Sequence, residues 1–257
     1  MEDSPATLDR HFALPEVRRI GLDRPLSWLI SGWQDIRANP IASLAYGLLF
    51  SIAGDVILIF AWRTPYLFTA AVSGFFLVAP LLAGGLYEIS KRREQGLHTT
   101  YFESLSCWSR NGQSMAMFGL LLAFVAIIWE RTSAVFFAIL IPGLSPDLWS
   151  FVPNVLLNPD HLNLTLTWLL VGSGLALLVF SVSAASIPML IDRNVDFVTA
   201  MMTSARAFAH NPWPMLLWAV LIVLLTLIGF VTLLFGLIVL MPLLGHASWH
   251  AYRDLVA

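Results

Sequence analysis

Cysteine and charge are both scarce in this chain. A single cysteine, Cys107, in 257 residues excludes a disulfide framework and any cysteine-held zinc or iron–sulfur centre. Charged residues make up only 12% of the chain and the formal net charge is −2, so nucleic acid is not an expected partner. No phosphate loop, dinucleotide fingerprint, nucleophile elbow or catalytic zinc signature occurs, and no lipidation signal is visible. The first forty residues are studded with Glu2, Asp3, Asp9, Arg10, Glu16, Arg18, Arg19, Asp23 and Arg24. They contain no uninterrupted apolar run, so no signal peptide is expected and residues 1–24 read as a cytoplasmic tail.

What is abundant is apolar. Hydrophobic residues reach 58% and the mean hydropathy is +0.78, outside soluble globular usage. A spanning helix needs about 20 mostly apolar residues. That rule predicts spans at 41–62, 66–88, 113–131, 163–190, 213–230 and 232–250. The last two share one run and need a tight turn near Gly229 to Thr232; one uninterrupted helix there would overrun the bilayer. Residues 25–257 therefore read as a single six-helix membrane domain.

A unit recurs three times, at about 25–94, 95–193 and 194–257. Each copy has an amphipathic stretch, then Asn39-Pro40, Asn111-Gly112 or Asn211-Pro212, then two apolar runs. The second run carries Pro80, Pro188 or Pro242, which should kink it or break its last turn. The expected fold is all-α, with three repeated hairpins, each preceded by a short interfacial helix. In the first of these, Leu26, Leu29, Ile30, Trp33 and Ile36 form an apolar face opposite Gln34, Asp35 and Arg37. Tyr101, Phe102, Leu105 and Trp108 form the second, and Val198, Met201, Met202, Ala205 and Phe208 the third.

Twelve Arg and Lys residues fall on the side of the termini, and only Arg63 and Arg131 on the other. That asymmetry places both termini in the cytoplasm, as in a bacterial inner-membrane protein. Glu130-Arg131 interrupts the third run. The repeat favours ending that helix there, with 132–157 as an outer interfacial element bearing Trp149 and Phe151; extension of helix three is the alternative.

Asp55 is the sharpest candidate. A carboxylate at that depth costs up to about 3 kcal/mol. Ser43, Gly47, Ser51 and Asp55 recur every fourth residue, a small-residue stripe suited to close helix packing. Asp55 is either a proton or cation site, with Arg63, Glu130 or Arg131 as charge partners, or a hydrogen-bonded structural residue. His246 and His250 lie four apart on one helix face, the spacing of a ligand pair. No carboxylate or cysteine completes the set at motif spacing, so the expectation is no cofactor in this chain and helix-end anchoring as the role of the pair.

Arg18-Arg19-Ile20, Asp23-Arg24-Pro25, Gly32-Trp33-Gln34-Asp35, Pro188 to Arg193, and Pro242 to Arg253 stand out as motifs. Together they resemble the domain-of-unknown-function 2189 family of bacterial integral membrane proteins. Some members carry a provisional cytochrome c oxidase label. A haem–copper catalytic subunit needs about six inward-pointing histidines. Here only His246 and His250 border a span, so this chain cannot be that subunit. The resemblance implies a non-catalytic accessory, assembly or stabilising subunit of a larger membrane complex, with a respiratory terminal oxidase as the complex it points to. A transporter or channel using Asp55 is the alternative, and lipid sensing through the interfacial helices a third reading.

Overall fold

The structure, a computed structural model, describes residues 14–63, 83–140 and 158–257. Pro80, Trp149, Phe151 and most of the expected second span lie outside them. The described residues form helices joined by short turns, with no strand beyond one isolated bridge. The helices are α1 (Arg24–Ala38), α2 (Pro40–Arg63), α3 (83–94), α4 (Tyr101–Ser104), α5 (Gly112–Leu140), α6 (Leu162–Ser183), α7 (Ser186–Asp192), α8 (Phe197–His210), α9 (Pro212–Val231) and α10 (Leu237–Leu255). Among the described residues, four stretches are long and apolar enough to cross a membrane: Pro40–Ile57, Gly112–Phe137, Pro159–Asp192 and Pro212–Val231.

The Asn-Pro signals act as local chemistry dictates. Proline disfavours α geometry in the residue before it, yet suits the first turn of a helix. Asn39 and Asn211 leave the helix with nearly the same dihedrals, φ −132° and ψ 61° or 53°, and α2 and α9 start at the following proline. Each of the three asparagines also holds the segment leading into another of the short helices. Asn39 Oδ1 accepts from Thr99 N at 3.4 Å, and Asn111 Nδ2 donates to Val195 O at 2.8 Å. Asn211 accepts from Ile20 N and donates to Arg18 O, both at 2.8 Å. First clasps second, second clasps third, and third clasps first.

Helix α10 runs antiparallel to α2 and closes over its small-residue stripe. Ser43 faces His246, Gly47 faces Ile238, and Ser51 Oγ donates to Leu234 O at 3.2 Å. Proline explains the middle contact. Pro242 has no N–H for the carbonyl of Ile238, and that carbonyl points at Gly47, where a Cβ would lie 1.9 Å from its oxygen. Only glycine admits so close a backbone approach. At Pro188 the break is complete: α6 ends at Ser183 and α7 begins at Ser186. The Ser204 hydroxyl enters the gap, accepting from Ala185 N at 3.1 Å and donating to Ser181 O at 2.8 Å. Side-chain insertion of this kind keeps the backbone satisfied in an apolar setting.

Two expectations are corrected. Helix α5 runs through Glu130-Arg131 to Leu140 as 29 continuous residues, about 43 Å long, so residues 132–140 extend helix three instead of leaving it. The hydrocarbon layer is only about 30 Å thick, so the extra turns carry the Glu130–Arg131 ion pair (3.1 Å) without interrupting the helix. Asp35, placed with Gln34 and Arg37 on a polar outer face, is buried. Helix α1 turns Leu26, Ile30 and Trp33 outward and packs Trp28, Gly32 and Asp35 inward.

The turn between α9 and α10 covers residues 232–236, slightly later than expected. Leu233 and Leu234 adopt left-handed φ values of 52° and 66° there. Single leucines rarely do so, and the bond from Ser51 to Leu234 O helps hold the pair.

Candidate functional site: a buried carboxylate–histidine cluster

Most of the described ionisable groups gather at the end of the bundle that carries the termini. At its centre is Asp35, 1% exposed. Gly32, one turn earlier, lets α10 approach: a Cβ there would sit 2.9 Å from both Ala247 N and Leu243 O. That proximity, with the four-residue spacing of His246 and His250, turns both imidazoles toward the carboxylate. From α3, Ser90 and Arg93 reach the same carboxylate, and from α2 Ser43 reaches the far side of His246.

The hydrogen bonds form one directed chain. Ser90 Oγ donates to Asp35 Oδ2 at 2.5 Å and therefore accepts from His246 Nδ1–H at 2.7 Å. His246 Nε2 then holds the lone pair and accepts from Ser43 Oγ at 2.9 Å. His250 Nε2 donates to Asp35 Oδ2 at 2.9 Å, and the Arg93 guanidinium pairs with Oδ1. This tautomer follows from the partners, each hydroxyl donating once. Burial pushes the Asp35 carboxyl up. The His250 hydrogen bond, attraction to His246, the Ser90 hydroxyl and the charge of His250 more than offset it, so the group stays below the usual carboxylate range.

Three further ties surround this centre. Glu88 is fully buried between Arg92 (2.8 Å) and Arg110 (2.9 Å). Asp192 pairs with Lys91 at 2.9 Å and accepts from Tyr252 OH at 2.8 Å. Arg24 forks onto Asp254 with bonds of 2.8 and 2.6 Å, and Trp28 Nε1 adds a third at 2.6 Å. The chain ends join in: Arg18 N donates to Leu255 O and Ala257 N to Glu16 O, both at 2.9 Å. Buried beside Glu88, the Cys107 thiol is pushed up to about 12 by burial first and by that carboxylate second. It is not a nucleophile at neutral pH.

The residues singled out in the sequence separate into two sets. Ser43, Gly47, Ser51 and Pro242 meet in the α2–α10 seam, with His246 and His250 at its charged end. Asp55 lies half-buried beyond the opposite end of that seam, where its neighbour Gly54 packs on Leu234. No hydrogen bond or ion pair joins Asp55 to another described residue; Arg131 pairs with Glu130 instead, and the Arg63 side chain lies outside the description. Pro188 sits buried in α7.

Sequence reasoning missed Asp35, Ser90, Arg93 and the burial of Glu88. The available signal was Gly32 three residues before Asp35, because a glycine on a helix face marks where a partner backbone comes close. Chemically the cluster can hold and relay a proton. The order Ser43, His246, Ser90, Asp35 resembles a hydrolytic triad with an extra hydroxyl inserted, but all four are buried and no substrate carbonyl can approach Ser43. Both ring nitrogens of His246 are already bonded to hydroxyls. No group of three His, Cys, Asp or Glu is arranged to hold a metal among the described residues.

A bundle with several bilayer-length apolar helices and its charges gathered at one end defines the class: a polytopic integral membrane protein. The family model described as a predicted integral membrane protein (DUF2189) matches residues 67–192, so the chain is similar to that family across its middle. The match takes in Pro188 and Asp192, while the opening and closing segments with the Asp35 and His246 positions lie outside it. No curated protein and no solved structure gives a significant match.

Proposed function

We propose that this chain is a non-catalytic accessory, assembly or stabilising subunit of a larger complex in the bacterial inner membrane. In this reading it has six spans in three hairpins and both termini in the cytoplasm. The observation that carries it is the division of labour along the bundle. Buried carboxylates at the charged end are matched to cations within the same chain, which leaves apolar faces as the surface offered outward. Only 22% of the spanning stretch of α5 and of α9 is buried. Val220, Val223, Leu224, Leu227 and Ile228 of α9 face out, as do Leu120, Phe124, Ile127 and Ile128 of α5. Such faces suit other transmembrane helices as well as lipid, and no cofactor is assigned to the chain.

The positive-inside rule supports the orientation, because the Arg and Lys residues of α1, α3 and α10 converge on the end carrying the termini. The respiratory assignment, with a terminal oxidase as the partner, rests on the family resemblance. Purification from native membranes in mild detergent is the test: a haem protein in fixed ratio is expected, and a lone, colourless species would overturn the reading.

A transporter or channel is the alternative reading, favoured by one observation: Asp55 is a carboxylate within the spanning stretch of α2 that no described residue neutralises. Asp55→Asn would then abolish a proton- or cation-linked flux in proteoliposomes, and an unchanged flux would remove Asp55 from the mechanism.

A further inference from the structure

We infer that the turn joining α9 to α10 lies among lipid acyl chains near the bilayer midplane and does not emerge on the far side. The inference rests on the membrane placement proposed above, keeps both termini cytoplasmic, and sets how deep the third hairpin reaches. The turn presents apolar side chains outward: Val231 is 84% exposed, Leu233 75% and Phe235 68%. From Gly229 to Leu240 the only polar side chain is that of Thr232. Connections at the charged end are built differently. Gln95, His98 and Thr100 precede α4, and Arg193, Asn194 and Asp196 precede α8.

The backbone amides of the turn need no water. Each N–H from Thr232 to Leu240 finds an acceptor within the chain. At Gly236 that acceptor is the Thr232 hydroxyl, 2.9 Å away, which itself donates to Gly229 O at 2.9 Å. Ser51 Oγ donates to Leu234 O. A turn in water can leave such groups to solvent, whereas one in hydrocarbon has to satisfy them internally.

Depth follows from the buried cluster. Leu237 to His246 is about 14 Å along α10. His246 and Asp35 lie 3.7 Å apart, and the Arg93 side chain on that carboxylate is 35% exposed. A turn standing at the far surface of a layer about 30 Å thick would hold these charges, and Arg253 beyond them, inside hydrocarbon. With the cluster at the cytoplasmic boundary, the turn lies about 14 Å deep. Helix α2 gives the same measure independently. From Ser43, bonded to His246, to Arg63 at the helix end is about 30 Å, and Ser51 comes about 12 Å along that path. One layer thickness fits between the cluster and Arg63, with the turn close to its middle.

Electron paramagnetic resonance on the purified full chain, in vesicles of phosphatidylethanolamine and phosphatidylglycerol with no partner subunit, tests this. Nitroxides are attached at Phe235→Cys in the turn, Leu224→Cys on the exposed face of α9, and Ala257→Cys at the exposed C-terminus. Cys107 is fully buried and does not compete for the label. Collisions with oxygen rise toward the midplane, and those with a water-soluble nickel complex fall. Position 235 should be the deepest of the three, with an oxygen-to-nickel collision ratio several-fold above that at 224. A turn at the far surface would put 224 near the middle, so a higher ratio at 224 than at 235 overturns the inference. Nickel access at 224 and 235 equal to that at 257 would overturn the membrane placement itself. Leu233, left-handed at φ 52°, supplies a second measurement. Glycine and asparagine both suit that conformation, but only asparagine adds an amide. In the same vesicles Leu233→Gly should melt at or above wild type and Leu233→Asn below it. A rise with both would show a turn in water and overturn the inference.

Discussion

Asp35 and Asp55 are carboxylates on consecutive helices, and their surroundings could hardly differ more. Asp35, on α1, is sealed against α3 and α10 and accepts from a guanidinium, an imidazole and a hydroxyl. Asp55 sits half-buried on a spanning helix with no described partner. By sequence alone Asp55 stands out and Asp35 does not, because hydropathy marks a charge inside an apolar run and ignores one in a polar stretch. Packing reverses the ranking. The buried cluster is where the molecule concentrates its polar groups, and the contrast teaches that membrane depth and burial are separate quantities.

The largest effect should come from breaking the cluster. Asp35→Ala strips Arg93, His250 and Ser90 of their shared acceptor, and loss of one partner from a buried pair costs roughly 3–5 kcal/mol. Arg93 is partly exposed and can turn to water, so the lower end is expected. Thermal unfolding in detergent should show a clear drop, against almost none for Asp55→Asn. A smaller fall for Asp35→Ala than for Asp55→Asn would invert the comparison.

Next in size is the seam itself. Gly47→Ala drives a methyl into the Ile238 carbonyl and should cost about 1–3 kcal/mol through forced separation of α2 and α10. Gly174→Ala, whose added methyl meets nothing within 4 Å, is the matched control and should leave the melting temperature unchanged or raise it.

Acid sharpens the comparison further. The Asp35 carboxyl lies below its ordinary value of 3.8 in the folded protein. A depressed carboxylate contributes stability that is complete above that value and is lost as pH falls through the lower folded one. This contribution should thus be flat from neutral pH down to about 4 and fade only below it. In melting curves taken between neutral pH and about 3, Asp35→Asn should lack that acid loss. A wild-type decline of the same size in the variant would assign it elsewhere.

The smallest effect belongs to the outward faces. Leu224→Ala and Leu227→Ala on α9 should change the stability of the isolated chain by no more than about 0.5 kcal/mol. If those faces dock on partner helices, the same changes should weaken co-purification from native membranes.

Much of the architecture was legible in the residues. Asn-Pro is read correctly as a turn into a spanning helix because proline acts on its own neighbours, whatever the rest of the chain does. The stripe of Ser43, Gly47 and Ser51 announces a close helix contact for a similarly local reason, a repeat of small side chains on one face. The continuity of α5 through Glu130-Arg131 was not legible. An adjacent acid and base neutralise each other on a long helix, and a hydropathy window registers only two interruptions.

The chain by itself determined that this is a helical membrane protein, where α2, α5 and α9 begin, and which end gathers the positive charge. These follow from short-range backbone preferences and from the cost of leaving amides or charges in hydrocarbon, both of which act residue by residue. Only the tertiary structure decided that Asp35 faces inward to meet Ser90, Arg93, His246 and His250. Those groups come from three helices far apart in the chain, and no local rule says which side of α1 the α10 backbone will approach.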